Sequence, residues 1–230
     1  SNFKQVDYGN ATAVEKAIGK NTGAVIVEPI QGEAGIIVPP HGYLKQLRKI
    51  CDKHEILLIV DEVQTGCGRT GKFFAYEHEK IKPDIVMLAK GLANGIPIGA
   101  TIAKEKIASS FKSGDHGSTF GGNPVACAAA NFTIDYIIKN KLMNNAKKQG
   151  NYLINKIKSL DSNNIKQIRG KGLMIGLNTK TNAKDIVKKC NEKGLLINSP
   201  EKNILRFLPP LVINKKIIDE SLKILGSVLK

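Results

Sequence analysis

Three short apolar runs in this chain each end at a polar residue, and these residues could together do chemistry. The runs are AVIV, LLIV and DIVMLA, and they are followed by Glu28, Asp61 and Lys90. Short runs of Val, Ile and Leu are typical of buried parallel strands. Ligands of open α/β sheets bind beyond the carboxyl ends of such strands. We therefore predict that carboxylate and amine groups meet in one crevice.

This acid and amine suit a cofactor that carries both an aldehyde and a ring nitrogen. A partly desolvated Lys90 amine gives up its proton more readily and can form a Schiff base with the aldehyde. Asp61 facing the ring nitrogen would keep it protonated, so that the ring withdraws electrons from a bound substrate. Gln64, one short loop further on, could donate to a phenolic oxygen. Taken alone, Asp61 would be a turn cap and Lys90 a surface lysine; their matching positions favour the chemistry.

Two further segments carry candidate binding residues. The glycine-dense stretch GDHGSTFGGNP holds Ser118 and Thr119 and ends at a helix start, as phosphate-binding loops do, although a plain connecting loop is the alternative. Arg206 lies inside the apolar run ILRFLPPLVI, where an arginine is rarely buried unless it is paired. Its natural partner is a carboxylate, supplied by a substrate, by Glu28 or by Glu33.

The loop after Asp61 also contains patterns of nucleotide-binding proteins. Gly66, Gly68 and Gly71 fit G-x-G-x-x-G, and the segment from Gly66 fits a P-loop up to its lysine. Phe73 then stands where a P-loop needs a hydroxyl for magnesium. The glycines also do not follow the strand directly, as a dinucleotide-binding turn requires. We therefore interpret them as shaping a turn that lies close to another chain segment or a ligand.

Bulk composition restricts the class of protein. The net charge is +15 over 230 residues, but the lysines are dispersed and aromatic content is 5% without Trp, so we expect no nucleic-acid partner. No apolar stretch approaches the ~20 residues of a membrane span. The four cysteines form no C-x-x-C pair, which disfavours a zinc site and fits a reducing, cytoplasmic location.

Strands and helices alternate in the first part of the chain, which predicts an α/β fold with a mostly parallel sheet and crossover helices. Shorter α+β elements follow, so we place a partial large cofactor-binding domain at 1–140 and a small carboxy-terminal domain at 141–230. The segment 125–139 is predicted as a mostly buried helix. The other predicted helices cover 10–19, 42–54, 73–80, 104–111, 141–160, 183–193 and 214–229. The predicted strands cover 24–27, 57–60, 84–89, 98–103, 165–169, 173–177, 195–197 and 204–208.

The motifs, in this order, resemble a known enzyme family. VEPIQGEAG, LLIVDEVQTGCGRTG, MLAKG, GDHGSTFGGNP, RGKGLMIG and LRFLPPLVI are similar to class III pyridoxal-phosphate aminotransferases. The closest resemblance is to the acetylornithine and ornithine aminotransferase group, from about residue 20 to the end. It implies a fold type I enzyme that uses pyridoxal 5'-phosphate and works as a homodimer with a shared active site.

The resemblance also implies roles for individual residues. Lys90 would bind the cofactor covalently, Asp61 would pair with the pyridine nitrogen, and Gln64 would contact the ring hydroxyl. Ser118 and Thr119 would reach the phosphate held by the neighbouring subunit.

Three residues would bind substrates by the same resemblance. Arg206 would bind the α-carboxylate of a 2-oxo acid. Glu33 would be the switch that pairs with Arg206 when an ornithine-type donor is bound, and Glu28 would be a supporting acid.

The implied reaction transfers an amino group from N-acetylornithine to 2-oxoglutarate, giving N-acetylglutamate semialdehyde and glutamate, a step of arginine biosynthesis. Ornithine, or the carrier-linked substrate of a lysine-biosynthesis aminotransferase, is an alternative donor.

Family members have over a hundred further residues before the point where this chain begins. We therefore expect a fragment that does not transaminate by itself. A non-catalytic, truncated subunit that only dimerises is the alternative of another class.

Overall fold

The computed structural model describes residues 2–229, and their contacts divide the chain into two compact units. Unit 1 comprises residues 2–29, 39–67 and 74–136. Unit 2 comprises residues 30–38, 68–73 and 137–229. No helix within residues 2–229 is long and apolar enough to cross a membrane.

Unit 1 is built on a four-stranded sheet in the order of the sequence. The first three strands are parallel to one another, and the fourth is antiparallel to the third. Two short 3-10 turns, Ala75–Glu79 and Lys90–Leu92, interrupt the connections. The strands are β1 (Ala24–Val27), β2 (Leu57–Asp61), β3 (Ile85–Leu88) and β4 (Ala100–Ala103). The helices are α1 (Ala11–Ala17), α2 (Tyr43–Lys53), α3 (Glu105–Ala108) and the start of α4 (Pro124–Lys139).

Helix α2 forms because its apolar residues recur on one side at helical spacing. Leu47 and Cys51 are completely buried on that side and pack with Leu58 and Val60 of β2. Full burial of a Leu or Val side chain contributes about 1.5–3 kcal/mol. This packing fixes β2, and hence the residues at its carboxyl end.

The direction of β4 departs from the parallel pattern of the first three strands. The connection from β3 to β4 contains the 3-10 turn Lys90–Leu92 but no crossover helix. A connection this short cannot return the chain to the opposite edge, so β4 runs antiparallel, with Met87 opposite Thr101.

The prediction that α4 is mostly buried is wrong. Val125 and Phe132 are exposed to 71% and 70%, whereas Ala126 and Ala130 are buried. The helix is apolar around most of its circumference, so sequence periodicity does not mark a buried side. Within the described residues it packs through the side that carries Ala126 and Ala130.

Unit 2 contains a second four-stranded sheet, which is antiparallel throughout. Its strands, in the order β5-β6-β8-β7, are β5 (Ile165–Lys171), β6 (Met174–Thr179), β8 (Ile204–Phe207) and β7 (Asn198–Glu201). Its helices are the end of α4, α5 (Leu142–Lys158), α6 (Ala183–Glu192) and α7 (Lys215–Leu229). The helices cover the sheet around a core that includes Leu153, Leu177, Ile186, Leu205 and Leu225.

The strand predicted at 195–197 is displaced in the structure. Ladder pairing with β8 begins at Asn198, opposite Arg206, and Leu196 is 85% exposed. An apolar run predicts a strand only where a partner backbone lies alongside it. The predicted class is confirmed: an α/β unit with a mostly parallel sheet is joined to an α+β unit.

Candidate active site

The carboxyl ends of β1, β2 and β3 lie at one edge of the unit 1 sheet. Val27 pairs with Val60, and Asp61 pairs with Met87. Because these strands are parallel and in register, Glu28, Asp61 and the segment after Leu88 emerge at the same edge. The structure thus brings the predicted acids and the lysine-bearing turn to neighbouring strand ends.

The Asp61 side chain is oriented by its own loop. Its Oδ1 accepts a hydrogen bond of 2.9 Å from the backbone N–H of Val63, a turn typical of aspartate. Asp61 and Gln64 are both half-buried. The carboxylate is therefore held by the local backbone while part of it stays accessible.

Glu62, which the sequence analysis did not single out, is the buried acid of this loop. It is 1% exposed. Its Oε2 accepts from the Thr65 hydroxyl at 2.5 Å, and its Oε1 accepts from the N–H of Tyr76 at 2.9 Å. Burial raises the pKa of Glu62, and the hydrogen bonds from the Thr65 hydroxyl and from the backbone of Ala75 and Tyr76 oppose that rise. Thr65, three residues further on, was the available sequence signal for such a closed turn.

Lys90 begins the turn that follows β3, with a backbone φ of +43°. A left-handed conformation is unfavourable for a residue with a side chain, at about 1 kcal/mol or more, and such strain is concentrated at functional sites. The expectation that Lys90 is partly desolvated is wrong for the described residues, where Lys90 is exposed. The turn carries the side chain past the end of the sheet, where the chain itself does not enclose it.

Ser118 and Thr119 lie on an exposed segment between α3 and α4. The Ser118 hydroxyl accepts from the N–H of Gly121 at 3.0 Å. The Asn123 side chain accepts from the N–H of Ala126 at 2.9 Å and caps α4 at the helix start that the sequence predicts. The loop therefore has a defined end at the helix and accessible hydroxyl groups before it.

In unit 2, Arg206 of β8 forms an ion pair with Glu33, one of the three partners that the sequence left open. Its Nη1 lies 2.8 Å from Glu33 Oε1, and it also donates to the carbonyl of Gly32 at 3.3 Å. Its Nε donates to Asn198 Oδ1 at 3.2 Å. The Arg206 side chain is 9% exposed, whereas that of Glu33 is 70% exposed.

The Glu33 segment is itself anchored inside unit 2. Gln31 and Ile37 form an antiparallel bridge, and Arg169 donates two hydrogen bonds of 3.0 and 2.8 Å to the carbonyl of Gly35. Glu33 is therefore presented at the tip of a closed turn, opposite β8.

The glycine-rich segment after Gln64 also enters unit 2. Arg69 donates to the carbonyl oxygens of Leu173 and Pro209 at 3.2 and 2.5 Å, and its desolvation lowers its pKa to about 10. A Cβ at Gly71 would lie 3.1 Å from the Cβ of Lys147. The glycines at this point allow the backbone to lie against α5. Arg69 was not anticipated from the sequence.

Across the part of the chain that the structure describes, no three His, Cys, Asp or Glu residues cluster as a metal site would require. The chemistry at the unit 1 edge is that of a carboxylate, an amide and an amine.

Comparison with known proteins agrees with this geometry. The family described as "Aminotransferase class-III" matches residues 3–229. The acetylornithine aminotransferase of Methanopyrus kandleri is 48% identical over 230 residues, which are 99% of this chain and 59% of that protein. Ornithine aminotransferase 2 of Staphylococcus saprophyticus is 44% identical over 229 residues, covering 99% and 58%.

Solved structures give the same picture. Ornithine delta-aminotransferase of Plasmodium falciparum has a TM-score of 0.95 at 39% identity, covering all of this chain and 60% of that one. Acetylornithine aminotransferase from Elizabethkingia anophelis has a TM-score of 0.93 at 40% identity, covering 97% and 59%. The chain thus spans about three fifths of the length of the proteins it matches.

Proposed function

We propose that this chain, which belongs to the class III aminotransferase family, carries the amine and ring-binding residues of a pyridoxal-phosphate-dependent transamination. The observation that supports this most is the placement of Asp61 and Lys90 at the ends of two directly paired parallel strands, β2 and β3. Gln64 follows on the same loop as Asp61. These are three different side-chain types at one sheet edge, each suited to a different atom of the cofactor.

The residues at this edge fit pyridoxal phosphate by their chemistry. The cofactor supplies an aldehyde that bonds to an amine and a ring that accepts electrons from the substrate. Lys90 offers an exposed Nζ for the aldehyde, and Asp61 offers a carboxylate for a protonated ring nitrogen. One solved structure similar to this chain, the ornithine aminotransferase of Toxoplasma gondii, is described with PLP at its active site.

The chain's own groups would then move the protons. Lys90 would hold the cofactor through its Nζ, and the same Nζ would take a proton from the donor carbon and return one, first as base and then as acid. The Asp61 carboxylate would keep a proton on the ring nitrogen. Gln64 orients the ring through its hydroxyl oxygen, and Glu28 adds a second acid at the edge.

The Arg206–Glu33 pair supports a role in choosing between substrates. A 2-oxo acid carries a carboxylate that can replace Glu33 on the guanidinium. Because the Glu33 side chain is 70% exposed, releasing it costs little, about 1 kcal/mol or less. We propose that the pair is closed for the amino donor and opens for 2-oxoglutarate.

The accessible Ser118 and Thr119 hydroxyls are proposed to bind the cofactor phosphate of a second subunit. This makes the enzyme a homodimer, which analytical ultracentrifugation would test. A Thr119→Ala variant should weaken cofactor binding in that dimer, whereas Ser109→Ala, on an exposed serine after α3, should not.

For the amino donor we propose N-acetylornithine, with 2-oxoglutarate as acceptor, which places the enzyme in arginine biosynthesis in the cytoplasm. The match to an acetylornithine aminotransferase at 48% identity supports this choice. Ornithine is the second candidate because relatives with that name are 44% identical, and a carrier-linked lysine-biosynthesis substrate is a third. Comparing kcat/KM for N-acetylornithine and ornithine decides between the first two.

We also propose that the 230-residue polypeptide does not transaminate alone, since it spans only 59% and 58% of the length of two matched relatives. Glutamate formation would be assayed with the isolated polypeptide and with the protein at its native length. Robust turnover by the isolated polypeptide would refute this part. A partner that co-purifies and restores turnover would identify a split enzyme, and a partner without turnover would identify the non-catalytic alternative.

The central test is Lys90→Ala in the protein at its native length. Loss of the base and of the covalent attachment should lower turnover by at least about 10⁴-fold. Lys112→Ala, a change at another exposed lysine of unit 1, is the matched control and should keep full activity. Unimpaired transamination by the Lys90 variant would end the assignment.

A further inference from the structure

Among the described acids at the carboxyl edge, Glu62 alone is fully buried, and the proposed reaction does not use it. A buried carboxyl group destabilises a fold unless its oxygens are satisfied. Here both are: Thr65 binds Oε2, and the N–H of Tyr76 binds Oε1. The carboxyl therefore connects its own loop to the 3-10 turn Ala75–Glu79.

The backbone around Glu62 closes the loop that carries the two proposed ring-binding residues. Its N–H donates to the carbonyl of Met87 at 2.9 Å, and its carbonyl accepts from the N–H of Gly66 at 2.8 Å. Asp61 and Gln64 lie on this loop, on either side of Glu62 and Val63. A shift of the Glu62 side chain would therefore move both ring-binding residues.

The other side of the same loop lies against the segment that carries Lys90. A Cβ placed at Gly66 would be 2.6 Å from Leu88 Cδ2, so the loop directly contacts the end of β3. A Cβ at Gly91 would lie 3.6 Å from the Cβ of Cys67. The loop and the Lys90 turn are thus packed together, and movement of one displaces the other.

We propose that Glu62 is a positioning residue that holds the Asp61–Gln64 loop and the Lys90 turn in one geometry through its bonds to Thr65 and Tyr76. It acts through these residues and does not touch the cofactor. This inference rests on the proposed function, because it assumes the roles of Asp61, Gln64 and Lys90.

Side-chain length, rather than charge, should decide the effect of substitutions at this position. Glu62→Gln can accept from Tyr76 and donate to Thr65, so the loop is kept. Glu62→Asp is one methylene shorter and cannot span both partners. Thr65→Ala removes one partner, and Thr65→Ser restores its hydroxyl.

The experiment measures pyridoxal phosphate itself, on the protein at its native length. The readouts are its dissociation constant, the pH midpoint of its protein-bound absorbance band, and the melting temperature of the cofactor-free protein. We expect Glu62→Asp and Thr65→Ala to weaken binding by about 10-fold or more and to shift the pH midpoint. Glu62→Gln and Thr65→Ser should stay within about threefold of the wild type.

The control is Glu105→Gln, at an exposed acid in the first turn of α3, which should change none of the three readouts. If Glu62→Asp lowers only the melting temperature and leaves binding and the pH midpoint unchanged, the positioning role is overturned. The same holds if Glu62→Gln is as damaging as Glu62→Asp. Failure of the proposed function looks different: the wild type would bind no cofactor, or Lys90→Ala would leave the absorbance band unchanged. Should Glu62→Asp not fold, comparison of Thr65→Ala with Thr65→Ser tests the positioning role by the same readouts.

Discussion

The two edges of the parallel sheet in unit 1 handle charge in opposite ways. At the amino edge, Asp84 precedes β3 and is held by Arg48 at 2.6 Å, by Lys104 at 2.7 Å and by the N–H of Leu58 at 2.8 Å. At the carboxyl edge, two residues beyond the end of the same strand, Lys90 is exposed on a strained turn. The short strand β3 therefore lies between Asp84, whose charge is paired within the protein, and Lys90, whose side chain is exposed.

The pKa of Asp84 shows how the charge at the amino edge is stabilised. Burial of the Asp84 carboxyl opposes its ionisation, but the hydrogen bonds from Leu58, Lys104 and Arg48 outweigh it and lower its pKa to about 2. That charge is neutralised within the protein and contributes to stability. At the carboxyl edge, Asp61 is instead held by the backbone N–H of Val63, and the Lys90 side chain is exposed. Stability and chemistry should thus be separable by mutation at opposite ends of β3.

Among the variants that compare the two edges, the largest effect is expected from Asp61→Asn. An amide cannot hold the proton on the ring nitrogen, so the electron-withdrawing power of the cofactor is lost and kcat should fall by about 10²-fold or more. Steady-state kinetics on the protein at its native length would measure this. Asp84→Asn is the matched control at the other edge, and it should keep kcat per folded molecule. Equal losses of kcat in Asp61→Asn and Asp84→Asn would contradict the proposal that only the carboxyl edge takes part in the reaction.

Asp84→Ala should produce the largest loss of stability. It leaves Arg48 Nη1 and the N–H of Leu58 without their acceptor, while Arg48 Nη2 keeps its pair with Asp52, and it should lower the free energy of unfolding by about 3 kcal/mol. Urea denaturation at neutral pH would measure it. Asp161→Ala, at an exposed aspartate, is the comparison variant and should cost less than about 0.5 kcal/mol. A small effect at Asp84 would mean that its ion pairs barely exceed their desolvation cost.

The contribution of Asp84 to the free energy of unfolding should also depend on pH. The pKa of Asp84 lies below its unfolded value of 3.8, at about 2, so the unfolded chain takes up the proton first as the pH falls. The stabilisation is complete above about pH 5 and is lost as the pH falls through about 4 to 2, by about 2 kcal/mol. The difference in unfolding free energy between wild type and Asp84→Asn, followed from pH 6 to pH 2, should shrink by that amount. A difference that is independent of pH would contradict the low pKa.

The smallest effect is expected from Lys104→Met. The Lys104 side chain is 50% exposed, so its pair with Asp84 is screened by water and should contribute less than about 1 kcal/mol. Arg48→Met is the matched variant: its side chain is 14% exposed and should contribute more. Urea unfolding at low and high salt would compare them, with salt reducing the Lys104 effect further.

Much of this arrangement could be predicted from the sequence. The runs before Glu28, Asp61 and Lys90 were identified as strands, because buried strands are continuously apolar and end abruptly at polar residues. The pairing of Arg206 followed from an arginine in an apolar strand, although its partner stayed open among Glu28, Glu33 and a substrate. Pairing across 173 positions in the chain requires coordinates.

Other features left only a weak signal in the sequence, or none. The burial of Glu62 depends on Thr65 and on the distant N–H of Tyr76, and an Asp-Glu pair looks like any acidic surface turn. The exposed face of α4 was missed because residues such as Val125 and Phe132 are apolar wherever they lie. The exposure of Lys90 follows from a φ that only the folded turn defines.

The interleaving of the two units restricts how this protein can be divided or recombined. Because residues 30–38 and 68–73 belong to the carboxy-terminal unit, the polypeptide passes from one unit to the other five times, and no single cut separates them. A swap of the carboxy-terminal region between homologues would bring a new Arg206 but keep the old Glu33 and Arg69. Viable hybrids should therefore require residues 30–38 and 68–73 to be exchanged together with the carboxy-terminal region of the same unit.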